Sequence, residues 1–200
     1  MAKQTTSATT QRRRRADADR SVAAILTAAL EALTSDPDAS MAEIARRAGV
    51  VRATIYVHFP TRESLLDAVM EQAVAEVAQA TSDAEPQRGE PTEALERVLR
   101  ATWQKLGRFH ALLAINTNRL SAKELRRRHL PVTTQFAPLI ERGQKEGIFR
   151  SDLPIEWHLA VIRAIVHTAS SEWQSGRIAE DQVEAAMLTT ITGAIGERER

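Results

Sequence analysis

The stretch AEIARRAGVVRATIYVHF, residues Ala42 to Phe59, carries the pattern that decides the fold of this 200-residue chain. Ser40 lies three residues before Glu43, which is the spacing of a capping box that opens a short helix over MAEIARRA. Gly49 tolerates a positive φ and allows a sharp corner into another short helix, which ends at about Val57. Two short helices joined at a glycine corner predict a helix-turn-helix, whose second helix enters the major groove of DNA.

The sequence on either side predicts further helices. Upstream, apolar residues follow the spacing of one helix face: Val22, Ile25, Leu26, Ala29, Leu30 and Leu33. Downstream, Pro60 interrupts the chain and Thr61 can cap a long fourth helix. Residues 1–15 are polar and lack periodicity, so they predict a disordered basic arm that ends in Arg12 to Arg15. A solvated tail and an arm that enters the minor groove both explain these arginines.

A loop rich in proline, glycine and acidic residues, TSDAEPQRGEPTE at 81–93, precedes a second region that is helical throughout. Gly147 is predicted to end one helix in a left-handed conformation, and Pro154 is predicted to open the next. Pro131 suits a first helical position, whereas Pro138 either kinks its helix or marks the true start of it. No stretch has the pattern of a strand, so the chain is predicted to be all-α.

The last two predicted helices offer more apolar surface than one core requires. PIEWHLAVIRAIVHTASSEW carries two apolar stripes, and one of them needs a partner surface. We therefore predict a homodimer interface from the two helices, made by Val161, Ile165, Val183, Met187 and Ile191.

Aromatic residues in the second region suggest a pocket for a small molecule. The candidate lining residues are Trp103, Phe109, Phe136, Trp157, His167 and Trp173. Aromatic residues at helical spacing are also typical of an ordinary core, so both interpretations stay open for each of them.

The charge of the chain is unevenly distributed, although its formal net charge is only +1. Between Ser40 and Arg62 the cations Arg46, Arg47, Arg52 and Arg62 face the single acid Glu43. The segment from Glu71 to Glu96 has the opposite balance, with seven acidic residues and Arg88 as its one arginine. A local cationic surface at the helix-turn-helix is what phosphate binding requires.

Other classes of protein are disfavoured by the composition and by the motifs. The chain has no cysteine, and its histidines lack the i, i+4 pairing that suggests a metal site, so we predict no metal and no cofactor. No nucleophile with a base and no paired carboxylates fall at a catalytic spacing, so an enzyme is not predicted. No apolar run approaches a membrane span or a secretory signal, which predicts a cytoplasmic protein without a membrane partner.

The segment MAEIARRAGVVRATIYVHFPTRESLLDAV, Met41 to Val69, resembles the TetR family of bacterial transcriptional repressors. The matching positions are Ile44, Ala45, Ala48, Gly49, Val50, Tyr56, Phe59 and Leu65. The resemblance implies a homodimer with a three-helix DNA-binding domain at 16–66 and a helical effector-binding and dimerisation domain at 67–200. It also implies a double-stranded DNA operator and a small-molecule effector. A regulator without a ligand and a helical protein-interaction module are the alternatives.

The resemblance also implies roles for individual side chains. Arg52 becomes the leading candidate for reading a base, because arginine donates two hydrogen bonds to guanine. Val51 lacks the oxygen that would cap the recognition helix, and it or Val57 could meet a thymine methyl group. The remaining candidate DNA-binding residues, several of them expected at phosphates, are Arg46, Arg47, Ala53, Thr54, Tyr56, His58 and Arg62.

Overall fold

The structure is a computed structural model that describes residues 3–197, with all side chains except those of residues 3–11, 13–15, 107–108, 110–119 and 122. Over this range the chain forms the following helices: α1 (Lys3–Ser35), α2 (Met41–Arg47), α3 (Arg52–His58), α4 (Arg62–Asp83), α5 (Pro91–Arg119), α6 (Ala122–Lys145), α7 (Ile155–Gln174) and α8 (Glu180–Ile195). The only β-structure within residues 3–197 is an isolated bridge between Phe149 and Gly196. The predicted all-α fold is confirmed.

The chain divides into two compact units, residues 1–71 and 72–200. The sequence-based boundary between residues 66 and 67 lies a few residues earlier, and both boundaries fall within α4. None of the helices that the structure describes has the length and apolar character needed to cross a bilayer.

The first unit is built on the apolar face predicted for its first helix. Ile25 and Leu33 of α1, Ile44 of α2 and Ile55 of α3 are all fully buried. The structure differs from the sequence-based expectation at the N-terminus, where α1 begins at Lys3 instead of following a disordered arm. Residues 3–15 contain neither proline nor glycine, so nothing in their sequence interrupts a helix that packing already holds further along. The side chains of residues 13–15 lie outside the described part of the chain.

The core of the second unit is formed by buried side chains of α5, α6, α7 and α8, together with Val77 of α4. They include Leu95 and Leu99 of α5, Leu139 and Ile140 of α6, Ile162 of α7 and Met187 of α8. The structure corrects the expectation for Pro131, which lies inside α6 and not at its first position. Pro138 also lies inside α6, so of its two alternatives the helix start is ruled out. Interior prolines cost roughly 3 kcal/mol each in a helix. Burial of Val132, Phe136, Leu139 and Ile140 around them offsets that cost.

The turn after α6 has the predicted geometry. Gly147 adopts a φ of +73°, and the amides of Ile148 and Phe149 both donate to the Gly143 carbonyl, at 2.9 and 3.0 Å. Phe149 thereby folds back onto α6, where it is 1% exposed. Pro154 occupies the N-cap of α7, as predicted.

This fold-back generates a prediction for Gly143, because a Cβ atom there would meet the Phe149 ring at 2.1 Å. The substitution Gly143→Ala should lower the free energy of unfolding by about 1–3 kcal/mol through overpacking. The measurement is urea denaturation. In a Phe149→Ala background the same substitution should be neutral or stabilising by up to about 1 kcal/mol, since alanine favours a helix over glycine. An equal loss in both backgrounds would contradict the steric explanation.

Candidate functional site

The first candidate surface is the outer face of α3. The buried side chains of Ile55 and Phe59 fix the rotation of this helix and leave its opposite face in solvent. Val51 and Val57 are 70% and 77% exposed, which is unusual for valine and marks this face as a contact surface. The exposed residues of the segment are Val51, Arg52, Ala53, Tyr56 and Val57, and Thr54 and His58 are half-buried beside them.

Two of these exposed side chains are held against each other. The Arg52 guanidinium lies 5.7 Å from the centre of the Tyr56 ring, one helical turn away. A cation over an aromatic face is attracted to it, which orders the arginine while its N–H donors stay accessible. The helix also starts without a side-chain cap, because Val51 offers no oxygen, as the sequence predicted.

The helix before the corner carries a compensated cluster of charges. Ser40 accepts the amide of Glu43 at 3.2 Å, which confirms the predicted cap. The Glu43 carboxylate accepts hydrogen bonds from Arg46 at 2.7 and 2.9 Å and from Arg47 at 2.8 Å. These two arginines hold the pKa of Glu43 at about 2, well below its ordinary value. The carboxylate is therefore ionised at neutral pH and offsets part of the cationic charge of α2.

The structure gives Arg62 a structural role that the sequence analysis did not foresee. Its guanidinium donates to the carbonyl of Pro37 at 2.7 Å and to the carbonyl of Ala39, both in the loop between α1 and α2. Arg62 thus ties the start of α4 to this loop. Nearby, the Thr61 hydroxyl accepts the Ser64 amide at 3.1 Å, which confirms the predicted cap of α4.

The second candidate site is the aromatic group of the second unit. Trp103, Phe109 and Phe136 are buried, and the rings of Trp103 and Trp173 lie 5.9 Å apart. Trp157 does not belong with them, because it is 56% exposed. Its place in the helix pattern suited burial equally well, and only the packing of α7 decides which stripe faces the core.

His167 has a neighbour that sequence reasoning missed. Its ring meets the ring of His129 of α6 edge-on, with centroids 5.8 Å apart. Burial, together with the nearby Arg163, lowers the pKa of both histidines below the ordinary value, and His129 lowers that of His167 further. Arg163 and His167 share one face of α7 by their spacing, but nothing in the sequence places His129 beside them.

The predicted dimer residues fall into two groups. Val161 and Ile165 of α7 are half-buried, whereas Val183, Met187 and Ile191 of α8 are buried within the unit and are unavailable to a partner chain. The prediction was wrong for these three, because the apolar stripe of α8 packs on its own core. Beyond its first turn, the exposed face of α8 consists of small residues, including Ala185, Ala186, Thr189, Thr190 and Ala194.

The helix-turn-helix has relatives among known proteins. Residues 25–69, which include α2 and α3 and end inside α4, match the model of the bacterial regulatory proteins of the tetR family. This segment of the chain thus carries the DNA-binding motif of that family. The TetR-family repressor LfrR of Mycolicibacterium smegmatis is 27% identical over 177 residues, which cover 88% of this chain and 91% of LfrR. The repressor KstR2 of Rhodococcus jostii is 23% identical over 157 residues, 74% of this chain and 77% of KstR2.

Solved structures show the same fold over nearly the whole chain. LfrR in complex with proflavine has a TM-score of 0.71 at 25% identity, covering 88% of this chain and 97% of that one. FadR of Bacillus subtilis in complex with stearoyl-CoA also has a TM-score of 0.71, at 21% identity, covering 86% and 98%. LfrR and KstR2 are both HTH-type transcriptional repressors. The chain is accordingly a DNA-binding regulator of transcription.

The bonds of Arg62 generate a stability prediction for the first unit. Arg62→Ala should lower the free energy of unfolding of the first unit by about 1–3 kcal/mol, because it leaves the carbonyls of Pro37 and Ala39 without a charged donor. Arg52→Ala, at an exposed position of α3, is the control and should change stability little. Thermal unfolding followed by circular dichroism measures both. If the two variants melted alike, the structural role of Arg62 would be rejected.

Proposed function

We propose that the protein is a repressor that binds a palindromic operator as a homodimer and is released by a small-molecule effector. The exposed face of α3 is the observation that carries the proposal, since an ordinary helical corner has no reason to expose two valines and a tyrosine around an arginine. The names of LfrR and KstR2 support repression. Residues 16–66 are proposed as the DNA-binding domain and residues 67–200 as the effector and dimerisation domain, in a protein of the cytoplasm.

Base reading is assigned to α3. Arg52 donates to guanine in the major groove, while Val51, Ala53 and Val57 supply the apolar surface that suits a thymine methyl group. Tyr56 contacts the backbone through its hydroxyl and steadies Arg52 through its ring. Thr54 and His58 are proposed phosphate contacts at the edge of this face.

Phosphate binding by Arg46 and Arg47 competes with their bonds to Glu43. Arg46 is 73% exposed and can turn from Glu43 to a phosphate, whereas Arg47 is 35% exposed. Arg62 is already bonded to two carbonyls, so its contribution at the start of α4 is best assigned to positioning that helix end. The positive end of the α4 dipole then favours a phosphate beside that helix end.

Dimerisation is assigned to the exposed small-residue face of α7 and α8. Trp157, Ala164 and Thr168 lie along the exposed side of α7, beside the half-buried Val161 and Ile165. Ala186, Thr190 and Ala194 continue the face on α8. Small side chains let helices of two chains approach closely, and Trp157 provides a large apolar contact at one end.

The effector is assigned to the second unit, where the buried aromatic residues lie. Complexes of LfrR with proflavine and of FadR with stearoyl-CoA support a ligand site in proteins of this fold. Two recognition helices must lie about 34–36 Å apart to enter successive major grooves. A ligand that binds better to an arrangement with another spacing therefore releases DNA by a shift in population.

The deciding experiment measures binding of the purified protein to a labelled DNA fragment from upstream of its own gene. An unrelated fragment of equal length is the control, and both are titrated at several salt concentrations. We expect preference for the upstream fragment, a steep loss of affinity with salt, and protection of a two-fold symmetric site. If no fragment from a genome-wide selection were preferred, the proposal would fail.

Arg52 and Tyr56 provide the test of base and backbone readout. Arg52→Ala should weaken operator binding by about 1–3 kcal/mol and relax the preference for its base pair, while Tyr56→Ala should weaken binding to all sequences. Arg88→Ala is the control, because Arg88 is an exposed arginine of the second unit paired with Glu85. Binding curves on operator and point-mutated operator DNA measure the effect. Equal operator affinity for all three variants would show that α3 does not contact the DNA.

Ala164 provides the test of the dimer face. Ala164→Glu should place a charge in an apolar interface and shift the protein toward monomer, with a parallel loss of operator affinity. Gln104→Glu adds the same charge at an exposed position of α5 and should leave the dimer intact. Analytical ultracentrifugation over a range of concentrations gives the dissociation constants. A wild-type dimer unaffected by Ala164→Glu would place the interface elsewhere.

A further inference from the structure

A group of nitrogen-bearing side chains lies between α6 and α7 in the second unit. His129 of α6 and His167 of α7 meet edge-on with ring centroids 5.8 Å apart, and Arg163 precedes His167 by one helical turn. The Nδ1 atom of His129 donates to the Leu125 carbonyl at 2.7 Å, so the neutral ring has its other nitrogen free of a proton. We call Arg163, His129 and His167 the inner cationic cluster.

The inner cationic cluster has no counterion in the described part of the chain. Arg163 is half-buried and forms no ion pair with any described carboxylate. The sequence explains this, because residues 101–119 of α5, 125–140 of α6 and 157–171 of α7 contain no aspartate or glutamate. The nearest acid along α6, Glu124, is already bonded to Arg127 and Arg128.

This charge distribution differs from that of the rest of the molecule. The whole chain has 27 arginine and lysine residues against 26 acids, and its surface cations are commonly paired, as Arg46, Arg100 and Arg177 are. A cation removed from water without a partner costs free energy that a bound anion would recover. The site therefore has the electrostatics of an anion-binding site.

A pair of tryptophans lies further along α7 from the cluster, in the same unit. Trp173 lies six residues after His167, about 9 Å further along α7 at 1.5 Å per residue, and it packs against Trp103 of α5. The Nε1 donor of Trp103 is buried, and no acceptor for it exists among the described residues. Phe136 of α6 is buried in the same unit. A ligand acceptor would satisfy the Trp103 donor, which a purely structural tryptophan would place against a protein acceptor.

We propose that the effector is an anion with an aromatic or other apolar body, whose charged group binds Arg163, His129 and His167 while its body lies against Trp103 and Trp173. This inference names the ligand class of the proposed function. It rests on that function only in treating the bound anion as the molecule that releases DNA. The binding of the anion itself stands on the cluster and the tryptophan pair.

The histidines make this binding depend on pH. Both have a pKa below the ordinary value when no ligand is present, because burial disfavours the protonated form and Arg163 repels it; His129 adds to this effect at His167. A bound anion favours their protonated form, so affinity should rise as the pH falls from 8 to 5. Arg163 of α7 is the charged side chain that acts on both histidines. The titratable residues of the 101–119 segment of α5 are Lys105, Arg108, His110 and Arg119, and of these only the side chain of Lys105 lies within the described part of the chain.

The test uses two fluorescent probes that differ in one group. 1-Anilinonaphthalene-8-sulfonate carries a sulfonate that stays ionised between pH 5 and 8, and N-phenyl-1-naphthylamine has the same aromatic body without it. Full-length protein without DNA should bind the sulfonate at least about tenfold more tightly than the neutral probe. Arg163→Gln should weaken sulfonate binding by about tenfold and leave the neutral probe unchanged. Arg126→Gln, an exposed arginine on α6, is the matched control and should change neither.

Measuring sulfonate affinity as a function of pH distinguishes histidines that bind the anion from histidines with a structural role alone. In the His129→Gln and His167→Gln variants the increase of sulfonate affinity at low pH should be smaller than in the wild type, with circular dichroism confirming that each variant is folded. Equal binding of the two probes, or sulfonate binding that Arg163→Gln and Arg126→Gln affect alike, would overturn the inference. Tighter binding of the cation proflavine than of the sulfonate would overturn it as well.

Failure of this inference is distinguishable from failure of the proposed function. Operator binding is measured without any probe. If the protein binds its operator but prefers the neutral probe, the proposed function stands and the anionic class of the effector is rejected. If the protein prefers the sulfonate, depends on Arg163 for this preference and binds no operator, the anion site stands and the proposed function is rejected.

Discussion

A helix of seven residues does not hold its shape in water, and α3 therefore depends on the burial of Ile55 against the rest of the first unit. Everything that the outer face of α3 offers follows from this anchor. Because Ile55 and Phe59 point inward, Arg52 and Tyr56 point outward one turn apart, close enough for the guanidinium to lie over the ring. A rotation of α3 by one residue would bury the arginine and expose the isoleucine.

The sequence was sufficient where the chemistry is local. Ser40 and Thr61 are caps that bond amides three residues away, and Gly49 and Gly147 have the positive φ that their corners required. These features depend only on neighbours along the chain, so reading them needs no knowledge of packing. The periodic spacing of apolar residues likewise located the buried face of α1.

The sequence was insufficient where two solutions share one pattern. The spacing of Met187 and Ile191 fits an apolar face in a dimer interface as well as one in a core. In the structure α8 packs on its own unit and buries both residues in the core. Pro131 and Pro138 suggested interruptions, but a local penalty is outweighed when the surrounding side chains are buried. The bonds of Arg62 to Pro37 and Ala39, and the meeting of His129 with His167, join residues more than twenty positions apart, which no periodicity encodes.

The aromatic residues are divided between the two units in a way that has an analytical consequence. Tyr56 is the one tyrosine of the chain and stands on α3 with 38% of its surface exposed, whereas all three tryptophans lie after residue 71. Nitration of tyrosine would accordingly label a single known position, next to Arg52. The chain thus carries its own chemical footprinting probe for the surface of α3, while indole absorption and emission report separately on the other unit.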